Sequence, residues 1–460
     1  MHFSNFAGIN SDLMLLKKII VFALCYLAVI ECSGVEFDIP APAVSGIYIE
    51  DIISGDILVD INGGKLMIPA SITKAVTSAS VLAERRPDYK FTTEVYFSGP
   101  VKGDVVEGNL VVKVSGDPTL ESSFFPDNIG FVDSVVTILK QMAISKIKGG
   151  VVVEKGVFLE QSVPNGWVEE DLAHPYGAGH FAANYKDNKF TLSFPDRVSI
   201  PKVPDLKVKH SSARGALKVA RKRGSDLFLT SGNAKKRKQY LALANPNPEL
   251  TLLFELKEAI NSAGISIGEV IKDDLIPVLN IYTHHSPELR DILQSLMFRS
   301  DNMMAEGVLR LLTPGQTREK AVAHEMSLWD LRGIDTEAIY IEDGSGLSRR
   351  DRFTPYFMAD VLAWMAMHGN ATDYVNLFPK AGMEGTLKQL LPDSSLAGEL
   401  VLKSGSMKGV QCYAGYKIDE EGLPTHVIVI MVNNFTCGRA IVKNEIEKLL
   451  RGIFAPDELQ

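Results

Sequence analysis

The sequence predicts an α+β protein: an antiparallel sheet covered by helices, its first strands N-terminal and its last C-terminal, with mainly β domains inserted between them. Three observations predict this. Ser45-to-Ile52 and Asp56-to-Ile61 alternate apolar residues about Ser54-Gly55, the pattern of a hairpin. A second set of strand-like runs lies near the other end of the chain, in Leu400–Asn433. Between them, the text from about residue 92 to residue 245 reads as short strands and turns, whereas helical patterns dominate from Ser286 onward.

The chain has 460 residues, 46% hydrophobic and 23% charged, which suits a globular protein of two or three domains. Residues 1–34 stand apart. Lys17-Lys18 precede a twelve-residue apolar run, Ile19 to Ile30, and Glu31-Cys32-Ser33-Gly34 follows. A basic start, a short apolar run and small residues read as a secretory signal cleaved after Gly34. The run is short for an uncleaved membrane anchor. The mature chain is therefore expected outside the cytoplasm.

A helix is expected from Ser71 to about Arg85. Thr93–Phe97, Asn109–Val114 and Val151–Leu159 read as strands, with a helix at Val132–Ala143. Residues 185–245 read as further short strands, and Leu250-to-Ala263 is helical. The chain closes with the Leu400–Asn433 strands and a helix near Lys443–Ile453. The expected organisation is a principal domain of residues 35–91 and 280–460, a second domain of 92–184 and 246–279, and a small β domain of 185–245.

Two of the four cysteines leave with the signal. Cys412 and Cys437 remain, and an oxidising compartment permits a bridge. Counting outward from the turn of the hairpin Cys412-to-Lys417 and His426-to-Val432, Cys437 overshoots the residue opposite Cys412, so two free thiols are expected. The formal charge is −8, unevenly spread. Residues 201–238 hold twelve Lys or Arg against Asp205 and Asp226, a local +10 that leaves −18 elsewhere. For an exported protein such a patch points to an anionic polymer or membrane surface and away from nucleic acid. A solvated basic face on the small β domain is the simpler alternative. His174 and His180 lack a set of further ligands, so no metal and no cofactor is expected, and His284-His285 reads as local structure.

Three short motifs carry chemistry. In Ser71-Ile72-Thr73-Lys74, positions i and i+3 share a helix face, so the Lys74 amine can reach the Ser71 hydroxyl. Serine needs an adjacent base, and lysine serves as one when its pKa is lowered. The pattern also occurs at Ser145/Lys148 and Ser199/Lys202, in unlike settings. Ser300-Asp301-Asn302 falls inside a helical pattern that runs from Leu293 to Glu306. Lys403-Ser404-Gly405-Ser406 lies between two strand-like runs, and Lys-Ser/Thr-Gly occurs once only. This order of nucleophile helix, Ser-x-Asn and Lys-Ser/Thr-Gly matches the signature set of β-lactamases and penicillin-binding proteins.

Flanking text narrows the match. Ser115-Gly116-Asp117-Pro118-Thr119-Leu120, His285-Ser286-Pro287-Glu288-Leu289 and Asp343-Gly344-Ser345-Gly346-Leu347-Ser348-Arg349 closely resemble the D-alanyl-D-alanine carboxypeptidase/endopeptidase family of low-molecular-mass class C penicillin-binding proteins. The resemblance runs from about residue 40 to residue 453. The spacing of 229 from Ser71 to Ser300, against 103 from Ser300 to Lys403, fits its habit of carrying domains between the first two motifs. Lys-Ser-Gly replaces the commoner Lys-Thr-Gly and keeps the hydroxyl.

The resemblance implies a β-lactamase/transpeptidase-like fold and acyl transfer. Ser71 would attack a terminal D-Ala-D-Ala carbonyl with Lys74 as base. Ser300 would relay a proton to the leaving amine, and the Asn302 amide would position the substrate backbone. Lys403, Ser404 and Gly405 would bind the substrate side, with Lys403 and Ser404 on its carboxylate. The N–H groups of Ser71 and Ser406 would form an oxyanion hole. Asp171 would pair with the ammonium of a diamino acid, Tyr176 would pack beside it, and Arg349 would meet a carboxylate. Peptidoglycan stem peptides are the implied substrates and β-lactams the implied inhibitors. A β-lactamase or esterase on the same chassis is one rival, disfavoured by the long insertion and by the lack of an evident deacylating glutamate motif. A penicillin-recognising wall protein without catalysis is another.

Overall fold

The computed structural model describes residues 37–156, 162–234, 238–272, 275–368 and 370–459. The expected secretory signal lies outside them. Among the described residues no helix is long and apolar enough to cross a membrane.

The principal sheet has five antiparallel strands. They are β1 (Val44–Asp51), β2 (Ile57–Ile61), β3 (Leu400–Met407), β4 (Val410–Ile418) and β5 (Pro424–Asn433), in the spatial order β3-β4-β5-β1-β2. The chain ends meet at its centre, where Ile47 lies opposite Ile430 and Tyr48 opposite Val429. Alternate residues face opposite sides of a strand. Tyr48, Val429, Met431 and Ala414 therefore point to one core, and Ile47, Ile49, Ile428 and Ile430 to another. Burial on both faces explains why β5 reads as one apolar run, Val427 to Val432.

The first face is covered by α1 (Thr73–Glu84), α2 (Leu289–Arg299), α3 (Asn302–Leu309), α4 (Arg318–Asp330) and α5 (Pro355–Met367). The second is covered by α6 (Arg439–Phe454), through Val442, Ile446, Leu449 and Leu450. Helix α1 is buried from Thr73 to Leu82, which is why its sequence lacks a polar stripe.

The inserted region builds its own cores. Strands Leu279–His285, Thr92–Phe97, Leu110–Lys113 and Val151–Glu154 form one sheet in that order. Helices Phe131–Gln141 and Pro248–Ser262 cover it, with Val95, Leu110, Leu139 and Leu256 buried between them. The strand expected at Val151–Leu159 ends at Glu154, and its part from residue 157 on lies outside the described residues. Leu279–His285 pairs with Thr92–Phe97, so this sheet reaches past the expected junction at 279/280. The described residues within 189–244 form two three-stranded sheets about Phe190, Leu192, Phe194 and Phe228.

Cys412 and Cys437 are both free, Cys412 buried beneath the carbonyl of Ile68. In the basic segment, Arg221 and Arg223 face inward. Arg221 donates twice to the Leu172 carbonyl, at 3.1 and 2.7 Å. Arg223 donates to the carbonyls of Val163, Pro164 and Trp167 at 2.8–3.0 Å. These arginines tie the small β unit to the segment that carries Asp171 and Tyr176. Residues 235–237 of the second basic run lie outside the described residues.

Because Ile428 is fully buried between β5 and α6, Ile428→Ala is expected to cost about 2–5 kcal/mol. The matching change at Ile53, which is 88% exposed in the β1–β2 turn, should stay within about 0.5 kcal/mol. Chemical denaturation of the two variants checks the contrast.

Candidate active site

The nucleophile candidate sits where three parts of the chain are held together. The main chain of Ile68 is clamped by Asn433 at the end of β5: its N–H donates to Asn433 Oδ1 at 2.7 Å and its carbonyl accepts from Nδ2 at 3.0 Å. Pro69 and Ala70 follow, and Ala70 has φ +50°. A non-glycine residue in the left-handed region costs about 1–3 kcal/mol and persists only where its surroundings hold it. Ser71 then lies in a short 3-10 turn, Ala70–Ile72, directly before α1, with Lys74 in the first turn of the helix. The shared face expected from the i, i+3 spacing is present, because Lys74 Nζ lies 3.1 Å from Ser71 Oγ.

Lys74 is wholly buried and donates in two further directions, to Asn302 Oδ1 and to the Ser345 carbonyl, each at 2.6 Å. Burial lowers its pKa to about 8, although Asp343, Asp301, Glu306 and Asp351 pull it upward. Lys403 is also buried, and desolvation followed by the charge of Lys74 pushes it well below the usual lysine range. Its Nζ donates to Ser300 Oγ at 3.0 Å and to the Ser404 carbonyl at 2.6 Å. The three motifs thus meet as two lysine–serine pairs, with the Asn302 side chain on the first lysine.

The helical pattern expected through Ser300-Asp301-Asn302 is broken. Ser300 ends α2 with φ +58°, and Asp301 caps α3 by accepting from the Met304 N–H at 3.0 Å. An Asp two residues before an apolar run is a helix-start signal. The break swings Ser300 toward Lys403 and Asn302 toward Lys74. Asn302 also donates to the Tyr176 carbonyl at 2.8 Å, so the inserted segment reaches the site through its backbone. The carboxamide thereby joins Lys74 to the inserted segment.

Asp171 and Tyr176 are joined, with the Tyr176 hydroxyl donating to Asp171 Oδ1 at 2.9 Å. The Tyr176 ring is half exposed and stacks on His174. Arg349 is exposed, and its carbonyl accepts from Arg352 at 2.8 Å. His180 is buried, with Nε2 2.7 Å from the Gly116 carbonyl.

Strand β3 is an edge strand that is covered only in part. The Leu402 N–H donates outward to the Pro379 carbonyl at 3.1 Å, and the Leu400 carbonyl accepts from Ala381 at 2.8 Å. With a period of two, Ser404 and Ser406 present their backbone groups to the same outer edge. Gly405 faces the nucleophile turn, where an added Cβ would lie 2.8 Å from the Pro69 carbonyl and 2.9 Å from the Ser71 nitrogen. Ser71, Ser300, Ser404 and Ser406 together line a cleft of about 310 Å³, with Thr386, Gln411, Tyr413, Arg439 and Lys443.

Several residues of this site carry no motif of their own. Thr386 shares a 2.6 Å hydrogen bond with Ser404 Oγ, and only the fold brings them together. Asp343 is buried and gathers the backbone N–H groups of Ser345, Gly346 and Ser348 and the indole N–H of Trp167. This bonding shapes the loop so that the Ser345 carbonyl meets Lys74. Glu306 accepts from the Gly344 N–H at 2.9 Å and from Arg318 at 2.6 Å. Burial raises it to about 7 against the pull of Arg318. The Asp343–Arg349 text signalled a resemblance, but not this supporting role.

Comparison with known proteins follows the same lines. The family model for D-Ala-D-Ala carboxypeptidase 3 (S13) matches residues 35–452. D-alanyl-D-alanine carboxypeptidase DacB of Haemophilus influenzae is 25% identical over 443 residues, covering 91% of each chain. A D-alanyl-D-alanine carboxypeptidase of Actinomadura sp. is 26% identical over 86% of this chain and 79% of its own. The crystal structure of penicillin binding protein 4 (dacB) from Haemophilus influenzae superposes with a TM-score of 0.77 at 24% identity, over 89% of this chain and 96% of the other.

The fit of the Asp343 loop against the nucleophile turn leaves no room at Gly346. With φ at +73°, a Cβ there would lie 1.9 Å from the Ala70 carbonyl. Gly346→Ala is expected to lower stability by at least about 2 kcal/mol. Gly64→Ala, whose Cβ would meet only Tyr356 at 3.6 Å, should change it by less than about 1 kcal/mol. Thermal unfolding of the two variants is the check.

Proposed function

The chain belongs to the D-Ala-D-Ala carboxypeptidase 3 (S13) family, and we propose that it releases D-alanine from peptidoglycan stem peptides through an acyl-enzyme on Ser71. The observation that carries this reading is the Lys74 amine, 3.1 Å from Ser71 Oγ and lowered to about 8 by burial. A serine hydroxyl beside such an amine has the base it needs.

Ser71 Oγ attacks the carbonyl of the penultimate D-Ala while Lys74 takes its proton. The N–H groups of Ser71 and Ser406 hold the resulting oxyanion, a contribution of roughly 2.7–4 kcal/mol per donor. Ser300 passes a proton to the departing amine. Lys403 and Ser404 hold the terminal carboxylate, and Gly405 lets their strand lie against the nucleophile turn. Carboxylate binding favours the charged form of Lys403, and that charge in turn favours neutral Lys74. Substrate binding thus prepares the base. Water then hydrolyses the ester, and a β-lactam enters the same path.

Beyond the shared chemistry, we assign the Asp171–Tyr176 pair to the diamino acid of the acyl-side peptide and Arg349 to a nearby carboxylate. A cross-link to the diamino acid of a second peptide presents the same D-alanyl carbonyl, with that second peptide as the leaving group, so endopeptidase action belongs to the same reading. Its substrates place the enzyme outside the cytoplasm, in line with the apolar leader of residues 19–30. The outward-facing part of the basic segment suits an anionic polymer or membrane surface, and retention on purified cell wall that falls with salt tests that contact.

Labelled penicillin should give an adduct at Ser71, and a pentapeptide ending in D-Ala-D-Ala should lose D-alanine. Both should vanish in Ser71→Ala. D-alanine release by that variant would overturn the assignment, and rapid penicillin turnover would favour a β-lactamase. The base must be neutral to act, so acylation should speed up as pH rises toward the lowered Lys74 value. From about pH 6 to about pH 7 the rate should rise roughly tenfold, and it should level off above about 8. Stopped-flow acylation by a chromogenic cephalosporin reads this profile.

A further inference from the structure

A second groove, of about 550 Å³, adjoins the catalytic cleft and shares Thr386 with it. One wall is the end of α2, with Phe298 and Arg299 immediately before Ser300. The other is the inserted loop that carries Phe124 and Phe125. Gly385 forms part of the floor, where a Cβ would lie 2.8 Å from the Phe298 carbonyl. We infer that this groove receives the leaving-side peptide of a cross-linked stem peptide, and so sets the preference for cross-links over free D-Ala-D-Ala ends. The inference rests on the peptidase reading above.

Position gives the first argument. Ser300 is the group placed to protonate the departing amine, and Phe298 and Arg299 precede it directly. Ser404 is placed on the carboxylate of the departing residue, and Thr386 is bonded to it at 2.6 Å. The groove therefore continues from the two side chains that face the leaving group. The acyl side is marked instead by Tyr176, bonded to Asn302.

The lining gives the second argument. A departing D-alanine ends at its carboxylate and needs no further room. A departing cross-linked peptide continues, and it carries the free carboxylates of its own acidic and terminal residues. The groove offers a cation and aromatic faces to meet them. The Arg299 guanidinium lies 4.2 Å from the centre of the Phe124 ring. Asp291 is the single acid of the lining and suits an amine on the same peptide. The loop is also held in place, since Asp187 accepts from the hydroxyls of Ser122 and Ser123 at 2.5 and 2.7 Å. Such anchoring lowers the ordering cost of binding.

The test compares a cross-linked muropeptide dimer with a free pentapeptide in wild type, Arg299→Glu and Phe124→Ala. Arg299→Glu should lower kcat/KM for the dimer by at least about tenfold, the equivalent of one charge contact. Its kcat/KM for the pentapeptide and its rate of acylation by penicillin should stay within about twofold, which also shows that the variant is folded. A smaller loss in Phe124→Ala is expected, confined to the dimer. Equal losses on both substrates, or none on the dimer, would overturn the inference while leaving the peptidase reading intact. If wild type does not cut the dimer, inhibition of D-alanine release by a free stem tripeptide decides the matter. Inhibition weakened by Arg299→Glu would keep the groove as a peptide site while removing endopeptidase action. Inhibition indifferent to Arg299 would remove both.

Discussion

A lysine amine buried without a carboxylate in contact is the constraint on which the rest of this structure depends. Lys74 has no exposed surface, and its direct partners are a hydroxyl, an amide oxygen and a backbone carbonyl. A charged carboxylate in contact would keep the amine protonated and useless as a base. The acids nearest in effect, Asp343, Asp301, Glu306 and Asp351, are each engaged elsewhere: on backbone N–H groups, a helix cap or an arginine. They build the walls of the site and raise the amine only partly. The balance leaves it near 8, within reach of neutrality at ordinary pH.

That constraint explains why such distant pieces of chain must meet. The Ser345 carbonyl reaches Lys74 because Asp343 folds its loop about four N–H donors, one of them the indole of Trp167 in the inserted region. Asn302 faces Lys74 because α2 ends at a left-handed Ser300 and α3 starts on Asp301. The same Asn302 holds the Tyr176 carbonyl. The inserted region is thus bonded to the Lys74 amine through one side chain. Whatever displaces the segment around Tyr176 also displaces a partner of the base.

Much of this was legible in the sequence, and the reasons are physical. Strands and helices of the sheet unit followed from strict alternation and long apolar patterns, so β1, β2 and α1 fell within one or two residues of expectation. Ser71, Lys74, Ser300, Asn302 and Lys403 were legible because their residue types occur in fixed short spacings. The helix break at Ser300 was missed because Leu293-to-Glu306 keeps a helical apolar pattern across it, although Asp301 is itself a capping signal. Thr386 and Arg299 were invisible for another reason. Each matters only through a neighbour brought by the fold, Ser404 in one case and Phe124 in the other. Arg221 and Arg223 misled by composition, since a count of charges does not show which of them bond carbonyls inward.

The partial cover of β3 joins these points. An uncovered sheet edge invites pairing with any extended chain, and proteins usually guard against it. Here residues 379–381 close the outer edge as far as Leu402 and then turn away, so the edge opens only from Ser404 onward. At that point Gly405 lies against the nucleophile turn with no space for a side chain. An extended peptide that pairs with the open stretch is laid beside Ser71 at a register set by backbone bonds, independent of its side chains. Selectivity must then come from what flanks that stretch. On one flank stands the Asp171–Tyr176 pair, and on the other the aromatic and cationic walls beyond Thr386, both supplied in part by the inserted region. The long insertion between the first two motifs thus supplies part of both flanks, while the sheet and helices on either side of it hold Ser71, Lys74, Ser300 and Lys403 together.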